Sequence, residues 1–244
     1  LFLNGFFFEA QAMPKSSIIH LRHVSYAFAS SWALRNVSLD VSAGDFIFLT
    51  GPSGAGKTTL LRLLHGTLPL QRGNGYIAGY DLRSLPSRRL HLLRRDVAVV
   101  FQDFKVLPHR TVRENIALPL FIQNLARDQI HRRVNAVLRG LHLENKDDLP
   151  CGRLSGGEQQ RVAIARSIVV NPKVLLADEP TGNVDPVLSL RLLDILSRFN
   201  AHGTTVLLAT HDQYLIQAHP QARILRLDQG QVQGEGYVPS PPGL

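Results

Sequence analysis

The chain has 244 residues, 44% hydrophobic and 19% charged, which excludes an intrinsically disordered protein and allows one large α/β domain or two small ones. Its single cysteine, Cys151, excludes an internal disulfide, and no apolar run approaches the roughly 18–20 residues a membrane-crossing helix needs. A formal net charge of +8 admits nucleic acid, an anionic membrane surface or an unspecific basic exterior. The arginines at 88, 89, 94, 95, 127, 132 and 133 are dispersed with few aromatics between them, unlike the stacking platforms of a single-strand binder, so no specific nucleic acid is expected.

In chain order, residues 1–8 are apolar but have no basic flank, so they do not read as a signal peptide. Residues 1–12 precede the only methionine, Met13, and are expected to be an over-extended start outside the fold. The β pattern begins at Ile18, with one candidate strand over 18–28. Residues 37–41 alternate apolar and polar as a half-buried antiparallel strand does. After a turn at 43–45, the apolar stretch 46–50 forms a buried strand, and 75–79 forms a short one broken by glycines. These segments predict a small antiparallel layer beside the core.

Residues from about 87 to 170 read as a mainly helical subdomain, interrupted by a short strand over 97–101. Pro119 is expected to kink or end one of its helices, because proline lacks the backbone donor. Residues 174–177 and 205–209 are continuous apolar runs, the pattern of strands buried on both faces of a parallel sheet. Between them Leu188, Leu192, Ile195, Leu196 and Phe199 recur at three- and four-residue spacing, which completes a βαβ unit. Residues 222–227 and 231–232 close as a hairpin around Asp228-Gln229-Gly230, and the proline-rich 234–244 reads as a tail outside the folded region 18–233.

The chemistry starts where the strand over 46–50 meets Gly51-Pro52-Ser53-Gly54-Ala55-Gly56-Lys57-Thr58-Thr59. This stretch fits G-x-x-x-x-G-K-[ST] between a strand and a helix, the context the motif demands. Glycines let successive N–H groups point into one concavity, and the following helix adds its free N-terminal donors and positive dipole end. Lys57 can reach β- and γ-phosphates, and Thr58 offers a hydroxyl to Mg²⁺. At the end of the strand over 174–177, Asp178 and Glu179 supply two carboxylates where open α/β sheets place ligands. Asp178 suits Mg²⁺ through a bridging water, and Glu179 suits polarisation of an attacking water as general base. Ser155, with Glu158 three residues on, is a capping box, yet a box needs no Gly156-Gly157; bare glycine amides at a helix start also suit a phosphate.

These segments, with Gln102 and His211, stand in the order found in ATP-binding cassette ATPases, which the chain resembles over nearly all of 18–233. Leu154-Ser155-Gly156-Gly157-Glu158 is the piece that separates this family from other P-loop ATPases. The resemblance implies an α/β P-loop nucleoside-triphosphatase fold with a mainly parallel core sheet, an antiparallel β layer and a helical subdomain. It implies ATP hydrolysis with ATP and Mg²⁺, in a homodimer where Ser155, Gly156, Gly157 and Glu158 act in trans on the partner's nucleotide. Gln102 would sense Mg²⁺ and the attacking water, Asp185 would line the dimer interface and His211 would hold the γ-phosphate. Adenine would stack on a ring of the N-terminal strand, with Phe28 the best placed and Tyr26 the alternative.

Within the family, the segments 100–108, 110–115 and 177–185 resemble bacterial cell-division ATPases, Phe101-Gln102-Asp103-Phe104 most tellingly. That resemblance implies an integral membrane partner of the FtsX type, contact with divisome components, a peripheral position on the cytoplasmic face of the inner membrane and regulation of septal peptidoglycan hydrolysis. The segment after Gln102 would receive the partner's coupling helix. ATPases for lipoprotein release or macrolide export share the 177–185 motif and are the alternative, ahead of a soluble cassette acting on nucleic acid or ribosomes.

Overall fold

The computed structural model describes residues 17–101, 103–181 and 186–237; Gln102, Asp185, residues 1–12 and the chain beyond 237 lie outside them. The chain opens with two long antiparallel strands, β1 (Ser17–Phe28) and β2 (Ser31–Ser42). In β2 the buried side chains are Leu34, Val37, Leu39 and Val41, so the alternation seen over 37–41 belongs to a longer strand. Its first half is masked in sequence by Arg35 and Asn36, where a left-handed backbone (Asn36 φ 51°) and register shifts interrupt the period.

Next come β3 (Phe46–Thr50), α1 (Lys57–Leu64), β4 (Arg72–Ile77) and β5 (Tyr80–Asp81). The glycine-broken strand therefore starts earlier than residue 75 and pairs with β5 across Ala78 and Gly79, both at positive φ. Together β2-β1-β4-β5 form the expected antiparallel layer.

The helical region holds α2 (Leu90–Asp96), β6 (Val97–Val100), α3 (Val112–Ile122), α4 (Arg127–Gly140) and α5 (Gly156–Ile168). Pro119 does not end α3, which continues to Ile122. The proline lies near the helix end, so the hydrogen bond it forfeits is one of the last. The remaining elements are β7 (Val174–Asp178), α6 (Pro186–Ala201), β8 (Thr205–Ala209), α7 (Gln213–Gln217), β9 (Arg223–Asp228) and β10 (Gln231–Tyr237). Strand β10 thus runs past residue 233, the boundary read from the sequence.

The larger sheet has the order β10-β9-β3-β8-β7-β6 and is parallel except at β10. Every residue of β7 and β8 is buried, which is why both read as unbroken apolar runs. Alternate residues of β3 serve two cores: Ile47 and Leu49 pack with α1 and the antiparallel layer, Phe46 and Phe48 with the helices. Because β3, β8 and β7 are adjacent and parallel, their carboxyl ends open onto one edge.

Candidate functional site

At that edge β3 releases the chain into the glycine-rich loop. Gly51 (φ 142°) and Gly56 (φ 105°) have backbones that side-chain-bearing residues rarely adopt. A Cβ on Gly51 would stand 2.0 Å from the Leu227 carbonyl oxygen, and one on Gly56 2.4 Å from that of Ala33. The loop is therefore shaped by the backbones of β9 and β2 pressed against it. The β9–β10 turn adds a bond from the Gly230 N–H to the Ala55 carbonyl at 3.0 Å, and the Gly230 carbonyl accepts from Arg35 N–H at 2.7 Å. Helix α1 starts at Lys57 with left-handed Gly56 as its N-cap and no side-chain cap bond, so no side chain of the cap covers its first amides. The buried Lys57 ammonium donates to the carbonyls of Gly51 (2.7 Å) and Pro52 (3.1 Å).

From the neighbouring strand end, Asp178 accepts a hydrogen bond from the Thr58 hydroxyl at 3.0 Å. Burial pushes the Asp178 carboxyl above its ordinary pKa, opposed by the Thr58 bond and reinforced by the Glu179 charge. Glu179 takes a left-handed backbone (φ 47°) and donates its N–H to Ala209 on β8 at 3.0 Å. Such a conformation is uncommon for a glutamate and ends β7 abruptly. Its two carboxylate oxygens each lie 3.0 Å from His211 Nδ1, and one lies 3.9 Å from Lys57 Nζ. Around them is a cleft of about 660 Å³ lined by residues 51–59, Ala33, Glu179 and His211.

The structure thus gathers the loop, Thr58, Asp178, Glu179 and His211. Phe28 and Tyr26 do not line the cleft: Tyr26 is buried, whereas Phe28 is 48% exposed and meets it edge-on at 4.9 Å. Ser155, Gly156, Gly157 and Glu158 are also absent from the lining. Ser155 caps α5, its hydroxyl accepting from the Glu158 N–H at 3.4 Å and its own N–H donating to Glu158 Oε2 at 2.9 Å. A Cβ on Gly157 would stand 2.5 Å from a methyl of Leu188, the movable end of that side chain, while nothing lies within 4 Å of a Cβ on Gly156.

Three supports of the loop, Ala33, Leu227 and Gly230, were not legible as site residues. They act through backbone atoms, which leave no side-chain signature; the only signal was Gly230 in a turn already explained by the hairpin.

The family model described as ABC transporter matches residues 34–182. The cell division ATP-binding protein FtsE of Streptococcus pneumoniae (strain D39) is 45% identical over 217 residues, covering 88% of this chain and 94% of that protein. FtsE of Escherichia coli K12 is 44% identical over 218 residues, covering 89% and 98%. Among solved structures, the dimeric post-hydrolysis ATP-binding cassette MJ0796 bound to ADP and Pi superposes with a TM-score of 0.82 at 32% identity, covering 91% of this chain and 100% of that one. A second dimeric structure of MJ0796, described as a bacterial ABC transporter cassette, gives 0.82 at 33% identity. The loop geometry, the strand-end carboxylates and these similarities converge: the chain belongs to the ABC transporter family and is one of its ATP-hydrolysing cassettes.

Proposed function

We propose that the chain is the ATPase subunit of a membrane complex of the FtsE–FtsX kind, acting in bacterial cell division by regulating septal peptidoglycan hydrolysis. The observation that carries the ATPase chemistry is the meeting of Lys57, Thr58, Asp178, Glu179 and His211 at three adjacent strand ends. The cell-division role rests on likeness to FtsE proteins over most of both chains. Among the described residues no helix is long and apolar enough to cross a membrane, so contact with the bilayer falls to a partner at the cytoplasmic face of the inner membrane. Divisome components would reach the cassette through that partner.

Residues 51–59 bind the triphosphate through loop and helix amides, and Lys57 exchanges its loop carbonyls for phosphate oxygens. Thr58 and Asp178 fit Mg²⁺: both offer hard oxygen donors, already within hydrogen-bond distance of each other. Mg²⁺ held by these two residues would supply charge neutralisation for the triphosphate. Glu179 takes the proton of the attacking water, and His211 and Gln102 orient the γ-phosphate end. Phe28 offers its exposed face to adenine. In a homodimer, Ser155, Gly156, Gly157 and Glu158 cover the partner's nucleotide, and Asp185 lines the interface.

The test is affinity purification from detergent-solubilised membranes with trapped ATP. Recovery of an FtsX-like integral membrane protein is expected. A different permease would replace this reading with lipoprotein release or macrolide export, and recovery of the cassette without any membrane protein would remove the coupling role.

A further inference from the structure

Two helices of the helical subdomain start with the same device. On α3, Thr111 and Glu114 form a capping box, with Thr111 Oγ1 accepting at 3.1 Å and Glu114 Oε2 accepting at 2.9 Å. On α5, Ser155 and Glu158 do the same. The second box carries an addition. The other oxygen of Glu158, Oε1, is taken by the Lys146 ammonium, and that contact holds the Glu158 carboxyl below its ordinary pKa. The α3 box shows that a cap forms without a cation, so Lys146 serves something beyond capping.

Lys146 comes from a short turn of 3₁₀ helix, Glu144–Lys146, that is itself pinned to α3. The Arg113 guanidinium grips the Asp147 carboxylate through Nε and Nη2 and donates from Nη1 to Asn135 at 2.8 Å. The backbone joins in: Arg113 N–H donates to Asp147 O at 2.9 Å and Val112 N–H to Leu149 O at 3.0 Å. A rigid strap therefore presents an ammonium to the carboxylate that orders the start of α5. With the Glu158 and Gln159 amides both bonded to Ser155 O, the amides left without intrahelical acceptors belong to Gly156 and Gly157.

We propose that Lys146 is a positioning residue for the nucleotide held by the partner protomer. By fixing Glu158 from outside the helix, it fixes the direction in which Ser155, Gly156 and Gly157 face the second copy of the chain. The inference rests on the trans role given to these residues above. Removing the ammonium leaves the protomer's own phosphate loop untouched and loosens only the surface that covers the other ATP.

Three variants test it. Lys146→Met should lower ATPase turnover about tenfold at limiting protein concentration and raise the concentration needed for ATP-induced dimerisation in a Glu179→Gln background by a similar factor. Binding of a fluorescent ATP analogue to the protomer should stay as in wild type, and Lys146→Arg should restore most of the loss. Glu158→Gln keeps a competent capping residue but loses the ion pair. It should reproduce the Lys146→Met effect and add little to it in the double variant. Wild-type dimerisation in Lys146→Met, additive losses in the double variant, or equally weakened protomer binding would each overturn the proposal. Absence of ATP-induced dimers in the Glu179→Gln protein with Lys146 intact would instead sink the trans reading beneath it.

Discussion

His211 Nδ1 stands 3.0 Å from both carboxylate oxygens of Glu179, a histidine on β8's exit holding the carboxylate on β7's exit. On the other side Lys57 Nζ is 3.9 Å from Glu179 and bonded to loop carbonyls. The three groups thus satisfy one another and the loop. On the proposed reading, a triphosphate would compete for Lys57 and His211 and leave Glu179 to the attacking water. Glu179→Gln should therefore keep ATP binding and lower turnover by about 10²–10⁴-fold, the usual worth of a general base. Titration with a fluorescent nucleotide and phosphate-release assays separate the two effects; turnover near that of wild type would reject Glu179 as the base.

The loop glycines are not equivalent. Gly54 has open space where a Cβ would go, although its φ is 79°, whereas Gly56 faces the Ala33 carbonyl at 2.4 Å. Gly54→Ala should cost about 1 kcal/mol, the price of backbone strain alone. Gly56→Ala should cost at least about 3 kcal/mol, because the clash adds to that strain, and should weaken ATP binding at least tenfold. Thermal melts and nucleotide titrations of the pair check the order.

Asn115 is fully buried and ties down the loop that follows Gln102. It accepts from the Leu107 N–H at 2.8 Å and donates to the carbonyls of Leu107 (3.0 Å), Arg110 (3.2 Å) and Thr111 (3.0 Å). Asn115→Ala leaves the Leu107 amide without its partner, while the three carbonyls keep backbone donors from Arg110, Cys151 and residue 115 itself, and should destabilise by about 1–3 kcal/mol. A urea midpoint unchanged by this variant would show that the loop is held by other means. The same variant should cleave faster under limited proteolysis between residues 103 and 111.

Acid sensitivity follows from His65, just beyond α1. Burial, with a smaller contribution from Arg94, lowers its pKa from 6.5 to about 4. Its ring meets Phe101 edge-on at 6.0 Å and bonds the Thr67 hydroxyl at 2.8 Å. The folded chain holds this imidazole neutral while the unfolded chain takes up a proton below pH 6.5, so stability is lost as pH falls from about 6.5 towards 4. The loss should reach about 2–3 kcal/mol, and His65→Gln should flatten that limb of the stability curve. Denaturant midpoints at a series of pH values across this window measure both.

Much of this molecule was legible in its residues. The phosphate loop, the carboxylate pair after β7 and the buried strands each have side chains that match their place, so motif and periodicity sufficed. What escaped reading depends on backbone and on distance. The start of β2 is hidden by a left-handed Asn36, and β5 is too short to carry a period. Ala33, Leu227 and Gly230 shape the loop through carbonyls and an amide, which any residue carries. Gly157 illustrates the remaining gap: a Cβ there would meet a Leu188 methyl on α6, a proximity between segments that spacing along the chain does not reveal.

The grip of β2 and the β9–β10 turn on the glycine-rich loop has a consequence for how the binding site comes into being. The loop's curvature is completed by atoms made far later in synthesis, around residues 227–230. A nascent chain that has finished β3 and α1 holds the motif's letters without the mould that gives them shape. Competence for nucleotide would then arise only after the carboxyl-terminal hairpin has docked, tying ATP capture to the arrival of nearly the whole domain.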